Sequence, residues 1–197
     1  MDSYRTIGRP ATAELTIERS RFIGHCLETA DEPAAKAFIA KIRAEHAQAN
    51  HNCYAYRIGL IPHPLEYFND HGEPAGTAGK PILGAIQRLD LLNVVVVVTR
   101  YFGGRKLGVR GLIEAYGQAA TQVLEAAGPT LRIVTFDTTL IYHYSDHSLI
   151  LHRLKQVDAE TLDIAYTDRI TAVFRIPEAK RADYLSLISE LPAEPLT

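Results

Sequence analysis

Residues 91–111 read LLNVVVVVTRYFGGRKLGVRG and contain the strongest structural signal in the chain. Residues 94–98 are all valine, so a strand formed there would present apolar side chains on both of its faces. Such a strand lies in the middle of a sheet, where other elements cover both faces. The segment therefore predicts a layered α/β domain built around one buried central strand.

Helices are predicted on both sides of this strand. Apolar residues recur at helical spacing over residues 112–127, and Gly128-Pro129 is a stop signal. Asp31 is a good N-cap for a helix over residues 32–47. Residues 81–89 are expected to form a third, short helix.

Strands are predicted where β-branched and aromatic residues concentrate. Residues 12–29 indicate one or two strands that bend near Ser20-Arg21, and residues 51–61 and 131–136 indicate further strands. Residues 62–81 are rich in glycine and proline, so we expect an ordered loop there.

The chain from residue 135 onward has a different pattern of predicted helices and strands. Its predicted order β-α-β-β-α is typical of a split-βαβ, ferredoxin-like domain, which would end with one more strand. Residues 192–197 contain two prolines and make a poor strand, so the last strand is predicted to be short or missing. We therefore predict an α+β protein with two domains, residues 1–134 and residues 135–197.

Composition predicts a cytoplasmic protein with no membrane association. Hydrophobic residues make up 47% of the 197 residues and charged residues 22%, which is ordinary globular composition. The two cysteines form no C-x-x-C pair and fit a reducing compartment. No apolar leader opens the sequence, and no apolar run approaches the roughly 20 residues that span a bilayer.

Charge is divided unevenly along the chain. The net charge is −2, with 15 basic and 13 acidic residues up to position 134 and 6 basic and 10 acidic residues after it. An anionic partner would therefore prefer the first domain, although the asymmetry is too modest to indicate nucleic-acid binding by itself.

The segment after the valine run is basic, with no acid between Asp90 and Glu114. It precedes a helix N-terminus, whose unpaired N–H groups attract anions. Cations beside an exposed aromatic ring are also what single-stranded RNA recognition uses. The alternative is that Tyr101 and Phe102 belong to the core and the glycines only form a turn. The candidate residues for anion, RNA or partner binding are Arg100, Tyr101, Gly103, Gly104, Arg105, Lys106 and Arg110.

A second candidate is the glycine-rich loop, residues 69–81, with the sequence NDHGEPAGTAGKP. Its glycines would let successive N–H groups line an anion-binding concavity beside a lysine. It is not a Walker A loop, because Pro74 and Pro81 occupy required positions. The alternative is a tight loop in which acidic side chains cap turns. The candidate residues are Asp70, Glu73, Gly76, Thr77, Gly79 and Lys80.

Catalysis has weaker support in the sequence. A hydrolase or phosphate-ligand enzyme could use Asp70 and Glu73 as acid and base, but there is no recognisable triad order or H-E-x-x-H motif. His51 and Cys53 are better interpreted as a strand residue that bonds the backbone and a buried structural thiol. We predict no cofactor and no metal, and we assign no catalytic residue.

Three motifs together resemble the IMPACT/YigZ family. They are H-N-C-x-A-Y from residue 51, D-x-G-E-P-x-G-T-A-G-x-P-I-L from residue 70 and N-V-x-V-V-V-T-R-Y-F-G-G-x-K-L-G from residue 93. The match spans roughly residues 15–130. The sequence departs from the family pattern at His71, at Val109-Arg110 and at Glu114, where a basic residue is usual.

The resemblance implies a first domain similar to domain 2 of ribosomal protein S5 and to domain IV of the translocating elongation factor. It implies a ferredoxin-like second domain similar to domain V of that factor. Eukaryotic members of the family regulate translation. We therefore expect a translation-linked regulatory binding protein whose partner is the ribosome, RNA or a translation factor. An enzyme acting through loop 69–81, or a purely protein–protein surface, are the alternatives.

Overall fold

The computed structural model describes residues 2–196, so Met1 and Thr197, the outermost residues of the two predicted domains, lie outside it. The chain divides into two compact units, Tyr4–Arg132 and residues 133–196 together with residues 2–3. Both units mix helices and sheets, and the predicted α+β class is confirmed.

Seven strands and three helices occupy the chain up to residue 133. They are β1 (Ser3–Ile7), β2 (Ala11–Ile17), β3 (Ser20–Glu28), α1 (Glu32–Glu45), β4 (His51–Ile58), β5 (Leu65–Asn69), α2 (Gly79–Arg88), β6 (Val94–Tyr101), α3 (Gly108–Ala127) and β7 (Pro129–Ile133). Five of these strands form an antiparallel sheet in the order β2-β3-β6-β4-β5, and β1 pairs with β7 in a separate two-stranded sheet.

The valine strand β6 is central and covered on both faces, as predicted. Val94, Val96 and Val98 pack in the core that α2 and α3 share with the sheet. Val95 and Val97 pack on the opposite face with apolar residues of α1. Because strand residues alternate between faces, every even-numbered residue of β6 points toward α2 and α3.

Residues 62–81 are not entirely loop. Leu65–Asn69 form the edge strand β5, which pairs with β4 and places Tyr67 opposite Tyr56. The two tyrosine rings stack with centroids 5.4 Å apart. Strand β5 was missed because the local signal is weak beside the flanking prolines, and its stability comes from pairing with β4. Strand β1 was missed as well.

The second unit has a split-βαβ arrangement. Its elements are β8 (Thr135–Tyr142), α4 (His147–Leu154), β9 (Glu160–Tyr166), β10 (Ile170–Pro177), α5 (Arg181–Ile188) and β11 (Ala193–Leu196). The antiparallel sheet has the order β11-β8-β10-β9, and its core contains Leu140, Ile150 and Phe174. Strand β11 is four residues long and tolerates Pro195 because it lies at the sheet edge.

Within residues 2–196, no helix is both long enough and apolar enough to cross a lipid bilayer.

Candidate functional site

The two segments singled out in the sequence meet at a cavity of about 410 Å³ in the first unit. The glycine-rich loop contributes its first part, and β6, the following loop and the start of α3 contribute the rest. The polar lining residues are Asn50, His51, Glu73, Arg100 and Lys106. The apolar lining residues are Pro74, Phe102, Leu107, Val109 and Leu112. We call this the 73/100 cavity.

Arg100 points into the domain, which corrects the expectation that it is an exposed cation. It is opposite Phe22 of β3 and His51 of β4 in the sheet, on the face that packs against α2 and α3. Only 5% of Arg100 is exposed. An even-numbered position on β6 must point to this face, because Val94, Val96 and Val98 do so.

Glu73 neutralises the buried guanidinium. Arg100 Nη1 donates to Glu73 Oε1 at 2.7 Å, and the Tyr116 hydroxyl donates to the same oxygen at 2.8 Å. Arg100 Nη2 donates to Ser20 Oγ at 3.3 Å. The guanidinium also lies 5.4 Å from the ring centre of Phe102. This ion pair is desolvated and hydrogen-bonded, so it ties the glycine-rich loop to the centre of the sheet.

Cys53 is a structural thiol, as predicted. It is fully buried and donates to the Asp70 carbonyl at 2.9 Å. Burial raises the pKa of the Cys53 thiol to about 12. Burial also raises the pKa of the neighbouring Tyr116 hydroxyl far above its usual range, with Cys53 and Glu73 adding to the shift. Both groups therefore stay protonated at neutral pH and supply no nucleophile.

His51 lines the cavity in a defined tautomer. Its Nδ1 lies 3.0 Å from the His71 carbonyl oxygen, which only accepts, so Nδ1 carries a proton. The predicted backbone bond of His51 is thereby confirmed. Its Nε2 lies 3.8 Å from Glu73 Oε1. That His51 borders the cavity could not be predicted from local sequence, because its place opposite Arg100 depends on how β4 and β6 pair.

The glycine-rich loop is already occupied by a carboxylate of the chain itself. The amides of Gly76, Ala78 and Gly79 donate to the Asp70 carboxylate at 2.8, 3.0 and 2.8 Å. The Thr77 hydroxyl donates to the Pro74 carbonyl. These N–H groups therefore bind the chain's own carboxylate, as in the alternative of a tight loop in which acidic side chains cap turns. Lys80 is exposed and does not line the 73/100 cavity.

Three predicted cations remain at the surface. Arg105 pairs with Glu18 at 2.6 Å and Arg110 pairs with Glu114 at 2.9 Å. All four of these side chains are at least 45% exposed, so water screens both pairs. Lys106 makes no ion pair with any residue from 2 to 196. These three cations are exposed to solvent, whereas Arg100 is buried and paired with Glu73.

The exposed aromatic residue at the cavity is Phe102 rather than Tyr101. The Tyr101 hydroxyl lies 3.0 Å from His46 Nδ1, beside the end of α1 and away from the cavity. Phe102 is 43% exposed and lines the cavity. The alternation of side chains along β6 could have predicted this difference. An odd-numbered residue such as Tyr101 points away from α3, and the next residue, Phe102, points back to the α3 face.

The glycines of the segment shape the loop. The Gly103 amide donates to Ser20 Oγ at 3.2 Å, and a Cβ on Gly103 would lie 2.0 Å from the Arg19 carbonyl carbon and oxygen. Gly104 has a φ of +88° and open space around it. Gly103 is thus required by a close backbone approach, and Gly104 by its conformation.

The fold defines a protein of two units that mix helices and sheets, and its first unit contains the 73/100 cavity. The family model for the Impact N-terminal domain matches residues 18–124, and that for a domain of unknown function (DUF1949) matches residues 140–191. The chain belongs to the IMPACT family.

Relatives match nearly the whole chain. IMPACT family member YvyE of Bacillus subtilis (strain 168) is 35% identical over 191 residues, which cover 97% of this chain and 88% of YvyE. IMPACT family member YigZ of Escherichia coli (strain K12) is 34% identical over 191 residues, which cover 96% and 94%. A crystal structure of a hypothetical protein aligns over 100% of this chain and 98% of its own, with 33% identity and a TM-score of 0.73.

Proposed function

We propose that this protein is a translation-linked regulatory binding protein that contacts single-stranded RNA. The contact surface is residues 102–110, which form the loop after β6 and the first residues of α3, at the rim of the 73/100 cavity. Of the three partners considered, namely ribosome, RNA and translation factor, RNA suits this surface best. The translation link rests on family resemblance, and the RNA contact rests on the side chains of the loop.

One observation carries the RNA contact: an exposed phenyl ring and three exposed cations lie within the short segment of residues 102–110. Phe102 is 43% exposed, and Arg105, Lys106 and Arg110 are all exposed beside it. A base stacks on an aromatic ring of any kind, and Lys and Arg contact the phosphates between bases. The loop therefore offers both kinds of contact without a groove shaped for a duplex.

The competing carboxylates do not block this surface. Glu18 and Glu114 hold Arg105 and Arg110 only through exposed ion pairs, which contribute little in water. A phosphate can replace either carboxylate at small cost.

Filter binding of single-stranded RNA across a salt series tests the proposal. We expect affinity to fall as salt rises, with a slope in log units of roughly −0.7 for each phosphate contacted. The triple variant R105E/K106E/R110E should lower affinity by roughly tenfold or more and flatten the slope.

A matched control lies in the second unit. Lys155 makes no ion pair within the described chain, and Arg175 and Arg181 form exposed pairs with Asp137 and Glu178. The triple variant K155E/R175E/R181E changes the net charge by the same amount and should retain most of the affinity. Equal losses in the two triple variants, or binding that ignores salt, would refute the proposed surface.

Co-sedimentation with ribosomes tests the translation link separately. The wild-type chain should pellet with ribosomes at low salt, and R105E/K106E/R110E should stay in the supernatant while the control triple pellets. No co-sedimentation, together with RNA binding in the filter assay, would leave RNA as the partner and remove the ribosome.

A hydrolase that uses Asp70 and Glu73 gains no comparable support. The Asp70 carboxylate accepts three backbone N–H bonds, and the Glu73 carboxylate accepts from Arg100 and Tyr116. Proton transfer by either group would break these bonds. A screen of phosphoesters and dipeptides with divalent metals checks this alternative, and turnover that is lost in a Glu73→Gln variant shown to be folded would establish it.

A further inference from the structure

We propose that the 73/100 cavity binds one nucleoside phosphate, with the base against Phe102 and the phosphate at Lys106 and the first turn of α3. The inference rests on the proposed function, since it names the part of the RNA that enters the protein. The same chemistry would also accept a free nucleotide, and the experiment below separates these two sources.

The size and lining of the cavity suit a base. Its volume of about 410 Å³ lies in the range of small-molecule sites, which have a largely apolar wall and a few polar groups. Phe102, Leu107 and Leu112 form much of the wall. One face of the Phe102 ring carries the Arg100 guanidinium at 5.4 Å, so a base would stack on the remaining exposed surface of the ring.

Where the cavity borders the start of α3, the backbone has hydrogen-bond donors that no side chain of the helix caps. Helix α3 is 20 residues long and begins at Gly108 with neither a side-chain cap nor an acidic residue in its first turn. Its first N–H groups are therefore free to bind an anion. Lys106, immediately before the helix, adds a positive charge.

Arg100 adds an independent observation from the cavity wall. It is 5% exposed and lines the cavity, and its Nε has no hydrogen-bond partner within residues 2–196. A buried donor of this kind normally has a partner. Glu73 does not repel a phosphate here, because Arg100 already balances its charge.

Asn50 offers contact to the edge of the base. Its Oδ1 accepts from the Phe102 amide at 2.8 Å, which leaves the side-chain NH₂ as a donor at the cavity rim. His51, whose Nε2 lies 3.8 Å from Glu73 Oε1, also lines the cavity. Bases with an acceptor on the exposed edge should therefore bind better than those without one.

Titration of the isotope-labelled full chain tests the inference. The ligands are adenosine 5′-monophosphate, adenosine and inorganic phosphate, followed by amide chemical shifts and by calorimetry. We expect the monophosphate to shift the amides of residues 102–109 and to bind roughly tenfold or more tightly than either fragment. Shifts elsewhere only, or equal binding of phosphate alone, would overturn the inference.

Substitution of the ring gives a second readout. Phe102→Ala should weaken monophosphate binding roughly tenfold, and Phe102→Tyr should restore it, because stacking needs only an aromatic face. Phe68, which is 39% exposed on strand β5, provides the matched control, and Phe68→Ala should bind as the wild type does. Unchanged binding in a folded Phe102→Ala variant would also overturn the inference.

An RNA of about ten nucleotides, the size that single-strand sites cover, completes the experiment. If the RNA binds with a salt slope while the monophosphate does not bind, the cavity inference fails and the proposed function stands. If the monophosphate binds and the RNA does not, the cavity is a site for a free nucleotide and the proposed RNA contact fails.

Discussion

Arg100 and Glu73 form a buried ion pair, with Arg100 Nη1 2.7 Å from Glu73 Oε1 and only 6% and 4% of the two side chains exposed. The pair joins the central strand to the glycine-rich loop, 27 residues earlier in the sequence. It is a direct contact between the two motifs singled out in the sequence. The loop stays in place because a guanidinium in the core holds its carboxylate.

Glu73→Ala should destabilise the first unit strongly. The substitution leaves the Arg100 charge buried without a partner, which costs about 3–5 kcal/mol of unfolding free energy. Urea unfolding measures this cost. Glu114→Ala, which removes the exposed partner of Arg110, should change stability by less than about 0.5 kcal/mol. The double variant E73L/R100M should recover much of the loss, and no recovery would contradict the ion-pair explanation.

Asp70→Asn should loosen the glycine-rich loop. The amide side chain accepts less strongly than a carboxylate, and three backbone N–H groups depend on it. We expect a loss of about 1.5–3 kcal/mol, typical for a hydrogen bond to a charged group. Hydrogen exchange at Gly76, Ala78 and Gly79 should accelerate. Asp168, exposed in the second unit, serves as the control, and equal effects of Asp168→Asn would argue against a capping role for Asp70.

Gly103→Ala and Gly104→Ala should behave differently, although the residues are neighbours. A Cβ at position 103 collides with the Arg19 backbone at 2.0 Å, so the loop must move. A Cβ at position 104 meets open space, and only the positive φ opposes it. Thermal unfolding should show a loss of about 1 kcal/mol for Gly104→Ala and a larger loss for Gly103→Ala. The reverse order would mean that the close approach to Arg19 is not essential.

Stability of the first unit should fall in mild acid because of His25. This residue is 7% exposed, and burial together with the neighbouring His46 lowers its pKa from 6.5 to about 4. The unfolded chain therefore takes up a proton between pH 6.5 and about 4 that the folded chain does not. Stability from this residue is complete above pH 6.5 and is lost as the pH falls to about 4, by on the order of 2–3 kcal/mol.

The measurement is unfolding free energy at pH 7 and pH 4. His25→Gln should reduce the difference between the two values, since glutamine does not titrate in this window. His152 is exposed on α4, and His152→Gln should leave the difference as it is. An undiminished difference in His25→Gln would assign the acid sensitivity to other groups.

Glu114→Gln should raise RNA affinity if residues 102–110 are the contact surface. The variant frees Arg110 from its exposed pair at 2.9 Å and removes one negative charge from the site. We expect an increase of roughly two- to fivefold at low salt that disappears at high salt, as for any exposed charge. Glu125→Gln, on the last turn of α3, is the control. An increase that persists at high salt would require a different cause.

Most of the fold could be predicted from local patterns. The valine run, the Asp31 cap and the Gly128-Pro129 stop each act within a few residues, and the elements they indicate are present. Asp31 Oδ1 indeed accepts from the Ala34 amide at 2.8 Å. Strand β5 escaped prediction because its stability depends on pairing with β4, which no local pattern reveals.

The candidate site was predicted only in part. Lys106, Arg105 and Arg110 are exposed as expected, and the loop and the basic segment proved to share one cavity. Arg100 and Tyr101 were assigned to the wrong surroundings. The alternation of side chains along β6 places both residues correctly, but only once it is known which face of the sheet α2 and α3 cover.

The sequence alone determined the central strand, the helices and the family, because apolar periodicity, caps and motif order are written in consecutive residues. Only the tertiary structure decided which charges face solvent. The Asp70 carboxylate accepts hydrogen bonds from the backbone of its own glycine-rich loop, and Glu73 pairs with Arg100 of the central strand. Which charged residues pair over a long sequence separation depends on the free energy of removing each charge from water. That free energy depends on what surrounds the charge in space.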